Sequence, residues 1–201
     1  MVIGMNSSGQ RAFATKSEWR AEILGCRAAV DPAVRAREAD ALAVAVGKLG
    51  TLGSTVCAYV PIGREPGSVA MLDELVRAGA RVLLPVTEEP GPLRWARYTG
   101  TGDLVPAAFG LREPAGPRLE PAEIATASII LVPALAVDRA GNRLGRGAGY
   151  YDRSLVFAAA GARLIAIVRD DEVVAALPHE PHDTRVQWAL TPVGGLVALD
   201  G

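Results

Sequence analysis

Residues 127–138 read ASIILVPALAVD, a nearly continuous run of apolar side chains. A strand with one face in water alternates apolar and polar residues, because successive side chains point to opposite faces of the sheet. This run does not alternate, so both of its faces are expected to be buried. Strands of that kind are typical of the middle of a parallel sheet covered by helices. The stretch therefore predicts the central strand of an α/β fold.

The segments before and after this run support the same fold. Residues 54–62 predict a strand that ends at Pro61, residues 68–80 an amphipathic helix, and residues 81–86 a second strand. Strand, helix and strand with short connections are the signature of parallel βαβ units. The alternation continues beyond the central run with a helix at 150–162, a strand at 163–168, a short helix at 171–177 and a last, edge strand at 186–192.

The remaining segments complete a fold of one domain. Two helices are predicted at 17–30 and 31–49. Residues 88–120 show no clear period, so they are interpreted as a long excursion over the functional face. No linker divides the chain, and residues 1–201 are expected to form a single domain in which about residues 1–14 are flexible. The predicted class is a three-layer α/β fold with a mainly parallel central sheet flanked by helices. Such a fold is Rossmann-like and similar to sugar-phosphate isomerases and coenzyme A transferases.

The composition narrows the classes of function. The chain has 201 residues, 50% of them hydrophobic, and 21 Lys and Arg against 22 Asp and Glu give a net charge of −1. This balance gives no reason to expect a nucleic acid or an anionic membrane as a partner. Cys26 and Cys57 are too few for a disulfide framework, and no apolar run reaches the ~20 residues of a membrane helix. We expect a cytoplasmic monomer that acts on small molecules.

Residues 141–153, GNRLGRGAGYYDR, place four glycines among three arginines between the central strand and a helix. In open α/β sheets ligands bind at the carboxyl ends of strands, where glycines let backbone N–H groups approach phosphate oxygens. Arg143 and Arg146 could add forked hydrogen bonds to those oxygens, and Asp152 could hold Mg²⁺ with one carboxylate. The alternative is a tight turn with solvated arginines, in which Asp152 interacts with the helix dipole.

The segment VPALAVDRAGNRLGRGAGYYDRSL (132–155) closely resembles the signature of 5-formyltetrahydrofolate cyclo-ligases, also called methenyltetrahydrofolate synthetases. Their pattern reads VPG, a large residue, an aromatic and D, and then G-x-RLG-x-G-x-GYYDR. Other segments resemble parts of the family in the same order: KSEWR (16–20), AYVPIGREPGS (58–68), FGLREP (109–114) and LPHEPHDTRVQWALTP (177–192). The resemblance therefore spans nearly the whole chain.

The resemblance implies a ring closure that depends on ATP and Mg²⁺. ATP would phosphorylate the formyl oxygen of 5-formyltetrahydrofolate, and a second folate nitrogen would attack the activated carbon. Phosphate would then leave, so the products would be 5,10-methenyltetrahydrofolate, ADP and phosphate. Phosphoryl transfer mostly requires positioning and charge neutralisation, which the arginines of the loop and Mg²⁺ can supply.

The resemblance also assigns roles to residues. Arg143, Arg146 and Tyr151 are expected to be catalytic, and Asp152 and Asp183 to bind the metal ion. The residues expected at ATP lie at the N-terminus and in the glycine loop: Lys16, Arg20, Arg143, Leu144, Gly145, Arg146, Gly147, Ala148, Gly149, Tyr150 and Tyr151. The residues expected at the folate, where Glu65 would accept hydrogen bonds from pterin N–H groups, are Val60, Glu65, Arg146, Gly147, Ala148, Gly149 and Tyr150.

Some positions depart from the family pattern, and two alternatives stay open. Ala148 stands where many members have glycine or lysine. Gln187 stands where an acidic residue is common, which weakens a metal site of two aspartates near Asp183. Trp95 either stacks on the pteridine or packs in the core. The competing function is a non-catalytic domain of the same fold that senses a phosphate ligand or a sugar phosphate.

Overall fold

The computed structural model describes residues 15–88, 91–181 and 183–200, so the expectation for residues 1–14 lies outside the described residues. The helices are α1 (Lys16–Ala29), α2 (Pro32–Gly47), α3 (Val69–Arg77) and α4 (Tyr150–Leu155). The strands are β1 (Thr55–Cys57), β2 (Arg81–Val86), β3 (Arg94–Tyr98), β4 (Leu104–Pro106), β5 (Arg112–Pro114), β6 (Arg118–Leu119), β7 (Ala127–Pro133), β8 (Ala136–Asp138), β9 (Arg143–Leu144), β10 (Arg163–Ile167), β11 (Val173–Val174), β12 (Trp188–Thr191) and β13 (Gly195–Ala198).

Eight of these strands form the main sheet, in the order β13-β12-β10-β7-β1-β2-β3-β6. The five inner strands, β12, β10, β7, β1 and β2, run parallel to one another. The strands β13, β3 and β6 add to the two edges in antiparallel pairs. The predicted mainly parallel sheet is therefore confirmed, and β7 lies inside it between two parallel neighbours.

Apolar side chains cover both faces of the sheet. On one face Leu42 of α2 and Leu75 of α3 belong to a cluster that includes Val82 of β2. On the other face Leu155 of α4 belongs to a cluster that includes Leu83, the next residue of β2. Successive residues of this strand thus point into opposite layers, as expected for a strand buried on both faces. The result is the predicted arrangement of a sheet between two layers of helices.

The first two helices begin at strong local signals. The Thr15 hydroxyl accepts a hydrogen bond from the Glu18 N–H at 3.2 Å, while Glu18 Oε2 accepts one from the Thr15 N–H at 3.0 Å. This capping box fixes the start of α1. Asp31 caps α2 through the N–H of Ala33 at 2.7 Å, with Pro32 in the first turn. No helix in the described ranges is long and apolar enough to cross a membrane.

Two predicted strands are shorter than the apolar runs that predicted them. Within residues 54–62 the strand β1 ends at Cys57, because the chain then leaves the sheet to line a cavity. Residues 127–138 form β7 and β8 with a break at Ala134. Arg27 Nη2 donates to the carbonyl of Ala134 at 2.8 Å, which takes that carbonyl out of strand pairing. Side-chain hydrogen bonding from a distant helix is invisible to a local apolar pattern.

Two predicted helices also differ from the structure. The helix predicted at 150–162 ends at Leu155, where hydrogen bonds between residues three apart tighten the last turn. The helix predicted at 171–177 is wrong. A single 3-10 turn at Asp170–Glu172 is followed there by β11, whose valines pair with β8. Valine favours extended backbone, and here the neighbouring strand is available to satisfy it.

The edges of the sheet also depart from the predictions. The strand predicted at 186–192 is not an edge strand, because β13 pairs with β12 outside it. The stretch 88–120, interpreted as an excursion, contributes β3 and β6 to the opposite edge and the hairpin β4–β5. The strands of this stretch are short and lie among prolines, glycines and arginines, so they leave no clear period in the sequence.

Candidate active site

A cavity of about 420 Å³ opens at the carboxyl ends of the parallel strands. Segments that follow β1, β2 and β7 form its walls, together with the glycine loop, residues 141–153. Ligands of open α/β sheets bind at this edge. The lining residues are Tyr59, Val60, Ile62, Glu65, Pro85, Thr87, Leu93, Leu111, Arg112, Glu113, Pro133, Ala134, Leu135, Arg143, Gly145, Arg146, Gly147, Ala148, Gly149, Tyr150, Tyr151 and Asp152.

The glycine loop is shaped by backbone conformations that favour glycine. Gly149 has a φ of +69° at the N-cap of α4. Gly141 has a φ of +83°, and a Cβ at this position would lie 2.4 Å from the carbonyl oxygen of Val186. A side chain at either position would strain the loop. Arg153 then braces it by donating to the carbonyls of Ala148 and Gly91, each at 3.1 Å.

The first ion pair of the cavity joins Arg143 to Asp152. Arg143 Nη2 lies 2.5 Å from Asp152 Oδ1. The arginine side chain is 4% exposed, whereas the aspartate side chain is 33% exposed. The other carboxylate oxygen, Oδ2, makes no hydrogen bond to any residue that the structure describes. The pair therefore presents a carboxylate, rather than a guanidinium, toward solvent.

The second ion pair joins Arg146 to Glu65. Arg146 Nε lies 2.9 Å from Glu65 Oε1, with the arginine side chain 48% exposed and the glutamate side chain 9% exposed. Glu65 is also held by its own turn, since Oε2 accepts the N–H of Ile62 at 3.0 Å. The segment after β1 thus meets the glycine loop through this pair. The residue predicted at the folate and a residue predicted at both ligands lie side by side.

Two tyrosines contribute buried hydroxyls to the same wall. Burial, followed by the charge of Glu65, raises the pKa of Tyr151 and of Tyr59 far above the ordinary tyrosine value. Both phenols therefore stay protonated at physiological pH. Neither hydroxyl has a hydrogen-bond partner within the described ranges. Tyr59 was not predicted as a site residue, although it directly precedes Val60, which was.

The two predicted residues of α1, Lys16 and Arg20, do not line the cavity, and Arg20 contacts the loop. Arg20 Nε donates to the carbonyl of Gly145 at 2.9 Å. One turn earlier, Lys16 Nζ lies 2.7 Å from Asp183 Oδ2 and 3.1 Å from Glu180 Oε2. Burial lowers the pKa of Lys16, but its hydrogen bonds to Asp183 and Glu180 outweigh this and raise the pKa overall. The ATP and metal roles of these residues stay predictions.

The structure gives packing or hydrogen-bonding roles to three other residues singled out from the sequence. The side chain of Leu144 lies in a core cluster with Trp19, away from the cavity. Trp95 is fully buried in the core, so packing accounts for it. Gln187 Oε1 accepts the N–H of Leu164 at 2.8 Å, which ties the segment before β12 to β10. Gln187 therefore has a structural role at a position where an acidic residue is common in the family.

Glu113 is a cavity residue to which sequence reasoning gave no role. Its carboxylate is almost fully buried, and Oε1 accepts the N–H of Thr87 at 2.9 Å. Unlike Glu65 and Asp152, it forms no ion pair with any described residue. The element FGLREP contains Glu113 next to Arg112, and nothing in this local sequence shows that the carboxylate is buried.

One carboxylate of the cavity is suited to a metal ion. Mg²⁺ in phosphate-transfer sites takes one or two carboxylates and completes its shell with water and substrate phosphates. Asp152 lines the cavity with a side chain that is 33% exposed, and its Oδ2 makes no hydrogen bond to a described residue. Asp183 does not line the cavity, and its Oδ2 accepts from Lys16 and from the N–H of Glu180. No group of three or more His, Cys, Asp or Glu within the described ranges is arranged as a metal site.

Comparison with known proteins identifies the family. The model of the 5-formyltetrahydrofolate cyclo-ligase family matches residues 12–192. The chain belongs to this family. The chain is 54% identical to the 5-formyltetrahydrofolate cyclo-ligase of Mycolicibacterium smegmatis over 92% of its own length and 97% of that protein. It is 28% identical to the 5-formyltetrahydrofolate cyclo-ligase of Escherichia coli, covering 70% and 79% of the two chains. The predicted family is confirmed, and with it the prediction of an enzyme.

Solved structures of related enzymes share the fold. The 5,10-methenyltetrahydrofolate synthetase of Aquifex aeolicus matches with a TM-score of 0.75 and 27% identity, over 92% of this chain and 93% of that one. A 5,10-methenyltetrahydrofolate synthetase from Mycoplasma pneumoniae matches with a TM-score of 0.69 and 18% identity, over 88% and 98%. The second likeness concerns the fold alone. The chain therefore shares its central sheet and flanking helices with other members of the family.

Proposed function

We propose that the protein uses ATP and Mg²⁺ to cyclise 5-formyltetrahydrofolate to 5,10-methenyltetrahydrofolate, with release of ADP and phosphate. The observation that carries the proposal is that one cavity contains both the glycine loop with Asp152 and the buried carboxylate of Glu65. A phosphate donor and a heterocycle with N–H donors can therefore be bound next to each other. Family membership supports the same reaction.

The loop side of the cavity is suited to the phosphates of ATP. Gly145, Gly147 and Gly149 keep side chains out of the way, so backbone N–H groups can approach phosphate oxygens. Arg146 has a half-exposed side chain there, and Arg143 has a buried one. Charge in the transition state of phosphoryl transfer is spread over the equatorial oxygens, and forked guanidinium groups suit such oxygens.

Asp152 is the residue that would hold Mg²⁺ at this side, because its side chain lines the cavity, is partly exposed and has an Oδ2 without a hydrogen bond to a described residue. When bound, Mg²⁺ supplies charge neutralisation to the phosphates. Arg143 donates to Oδ1 and so holds the carboxylate in place, which leaves Oδ2 available to a metal ion. We include Asp183 as a second, outer carboxylate, and Lys16 and Arg20 as outer phosphate contacts. Their support is the contact of Arg20 with the loop and the ion pair of Lys16 with Asp183.

The opposite side is suited to the folate. Glu65 accepts N–H groups of the pterin in this proposal, and Val60 and the loop from Arg146 to Tyr150 pack around the ring. Apolar side chains such as Leu93 and Leu111 add walls for the flat ring systems. A carboxylate this buried strongly favours ligands that supply its hydrogen-bond donors, since otherwise its charge is left without partners.

Tyr151 lies where the two sides meet, and its protonated hydroxyl can donate a hydrogen bond to the formyl oxygen or the transferred phosphate. The formyl oxygen attacks the γ-phosphorus of ATP, and ADP leaves. The second folate nitrogen then forms a bond to the formyl carbon and loses its proton. The C–O bond to phosphate breaks last, which leaves the methenyl bridge. Arg143, Arg146 and Tyr151 position and neutralise the groups throughout.

The proposal is tested by following the absorbance of the methenyl product with purified protein. Product is expected only when 5-formyltetrahydrofolate, ATP and Mg²⁺ are all present, with one ADP released for each methenyl group formed. A sensor domain would bind the phosphate ligand without turnover, so binding without product would overturn the proposal. We also propose that the reaction takes place in the cytoplasm, in keeping with two cysteines that form no disulfide, and that the enzyme is a monomer.

A further inference from the structure

A second cavity, of about 280 Å³, lies beside the main one. It is bounded by the first turn of α2, by the turn at 63–67 that carries Glu65, and by Arg169. Glu65 borders both cavities, but the glycine loop borders only the first. The four arginines around it are Arg27, Arg35, Arg64 and Arg169. The proposed reaction gives no role to any of these four arginines.

Arg27 has an unused hydrogen-bonding group in this region. Its side chain is 2% exposed, and its Nε and Nη2 donate to the two oxygens of Glu172 at 2.6 and 2.8 Å. In that side-on arrangement the remaining nitrogen, Nη1, points away from Glu172. Nη1 has no hydrogen-bond partner among the described residues, although it is buried. Buried guanidinium N–H groups are nearly always bonded, so the geometry indicates a partner that the protein itself does not supply.

The acidic residues of the cavity already have partners. Glu38 Oε1 accepts from Arg169 Nη2 at 2.7 Å, and Glu65 is paired with Arg146. Arg169 Nε, like Arg27 Nη1, is buried with no partner in the part of the chain that the structure describes. After pairing with Glu172 and Glu38, Arg27 and Arg169 therefore each keep one N–H donor that no described residue accepts.

The rim adds two arginines that make no ion pair with a described residue. Arg35, in the first turns of α2, makes only a long contact of 3.4 Å to the carbonyl of Val30. Arg64 is exposed on the turn before Glu65. The N-terminal end of α2, a helix of 16 residues, faces the same space and adds the positive end of its dipole. Asp31 caps that end but does not line the cavity.

We infer that the second cavity binds a small oxyanion of the phosphate class, with Arg27 Nη1 at its floor and Arg35 and Arg64 closing over it. Guanidinium groups that approach from several directions suit a tetrahedral oxyanion, since each presents N–H donors in a fixed fork. The whole chain has a net charge of only −1, so this is a local site rather than general attraction. The inference does not depend on the proposed reaction.

The test titrates inorganic phosphate into the protein at low ionic strength, with binding followed by calorimetry. The double variant Arg35→Gln/Arg64→Gln removes the two rim charges and leaves the buried pair of Arg27 and Glu172 intact. We expect its phosphate affinity to fall at least about tenfold, because two charge-assisted contacts are lost. The matched control is Arg37→Gln, an exposed arginine of α2 outside the cavity, which should bind phosphate like the wild type.

A third variant separates this cavity from the glycine loop. Arg143→Gln removes a cation of the main cavity that does not border the second, so phosphate binding at the second cavity should persist. The inference is overturned if the wild type binds no phosphate, or if binding survives in the double variant and disappears in Arg143→Gln. Crystals soaked in selenate give an independent answer, since anomalous scattering locates selenium. A peak beside Arg27 supports the site, and peaks at the glycine loop alone contradict it.

Discussion

The two ion pairs of the main cavity are opposite in burial. In the pair of Arg143 and Asp152 the cation is 4% exposed and the anion 33% exposed. In the pair of Arg146 and Glu65 the cation is 48% exposed and the anion 9% exposed. The cavity thus presents a carboxylate to solvent at one place and a guanidinium at the other, each fixed by a buried partner of opposite charge.

This difference suggests which ligand each pair serves. An exposed carboxylate held by a buried arginine is suited to a hard cation, because the arginine fixes one oxygen and leaves the other available. An exposed guanidinium held by a buried glutamate is suited to an anion. When a ligand binds, Glu65 can replace part of its pairing with Arg146 by hydrogen bonds from uncharged N–H groups of the ligand. The variants below test these assignments, beginning with the largest expected effect.

Removal of either arginine is expected to have the largest effect on catalysis. In Arg143→Ala and Arg146→Ala, a charge-assisted contact to the transferred phosphoryl group is lost, which costs about 2–4 kcal/mol of transition-state stabilisation. Steady-state kinetics with each substrate varied in turn should show that ATP use is weakened more than folate binding.

Arg139→Ala is the matched control, since Arg139 precedes the loop and is exposed. It should keep wild-type turnover. If Arg143→Ala and Arg146→Ala both keep wild-type turnover and ATP affinity, the arginines only shape a turn, and the opposite burial of the two pairs has no catalytic meaning.

Glu65→Gln tests the buried anion. The amide keeps the size of the side chain but loses its charge, so affinity for 5-formyltetrahydrofolate should fall by roughly 1.5–3 kcal/mol if the lost bonds are charge-assisted. ATP affinity should stay nearly unchanged. Calorimetry with each ligand separately measures both values.

The control for Glu65→Gln is Glu120→Gln, whose carboxylate is on the surface and pairs with Arg94. It should bind the folate like the wild type. Equal folate affinity in the wild type and Glu65→Gln would show that the turn after β1 holds a structural carboxylate.

Asp152→Asn tests the exposed anion. The amide oxygen keeps the shape of the side chain, but the charge that attracts a hard cation is gone, so the Mg²⁺ concentration at half-maximal activity should rise roughly tenfold or more. Asp40→Asn, at an exposed position of α2, is the control. Mg²⁺ titrations that superimpose for the wild type and Asp152→Asn would remove the metal role.

The parts of the fold that could be predicted are those with a clear pattern in the local sequence, and the parts that could not be predicted lack such a pattern. The apolar run at 127–138 and the βαβ pattern predicted the parallel centre of the sheet. A strand that is buried on both faces has a nearly continuous apolar sequence, which can be recognised locally. The antiparallel additions β3, β6 and β13 are short and contain arginine or glycine, so no long apolar run marks them, although β3 and β13 directly follow their partners β2 and β12 in the chain. The valines of β11 were predicted as helix because their partner strand, β8, is 36 residues away, as in the pair of Val173 with Val137.

The site shows the same division. The glycine loop and Glu65 were identified from local motifs, and the structure brings them together in one cavity. The pairing of Arg146 with Glu65 could not be predicted, because it joins segments that only the sheet places side by side. Glu113 and Tyr59 were missed for another reason: a buried carboxylate and a buried phenol are recognised by their surroundings rather than by their neighbours in sequence.

A third pair, Lys16 with Asp183, extends the comparison and should show the smallest effect. Both side chains are partly exposed, so solvent screens the attraction, and such pairs contribute about 0.5 kcal/mol to the free energy of unfolding. Hydrogen bonds to Asp183 and Glu180 outweigh partial burial and raise the pKa of Lys16 in the folded protein above its ordinary 10.5. The contribution is therefore fully present below pH 10.5 and is lost as the pH rises through the folded-state pKa.

Lys16→Met measures this contribution by urea unfolding at a series of pH values. The wild type should be more stable than the variant by a constant amount from neutral pH up to the ordinary lysine pKa, and the difference should shrink above it. Lys48 is the other lysine of the chain and is exposed, so Lys48→Met provides a matched control. Its difference from the wild type should not follow this pH course. If the Lys16→Met difference stays constant through the alkaline range, the ion pair contributes nothing and the stability change comes from the apolar stem of the side chain.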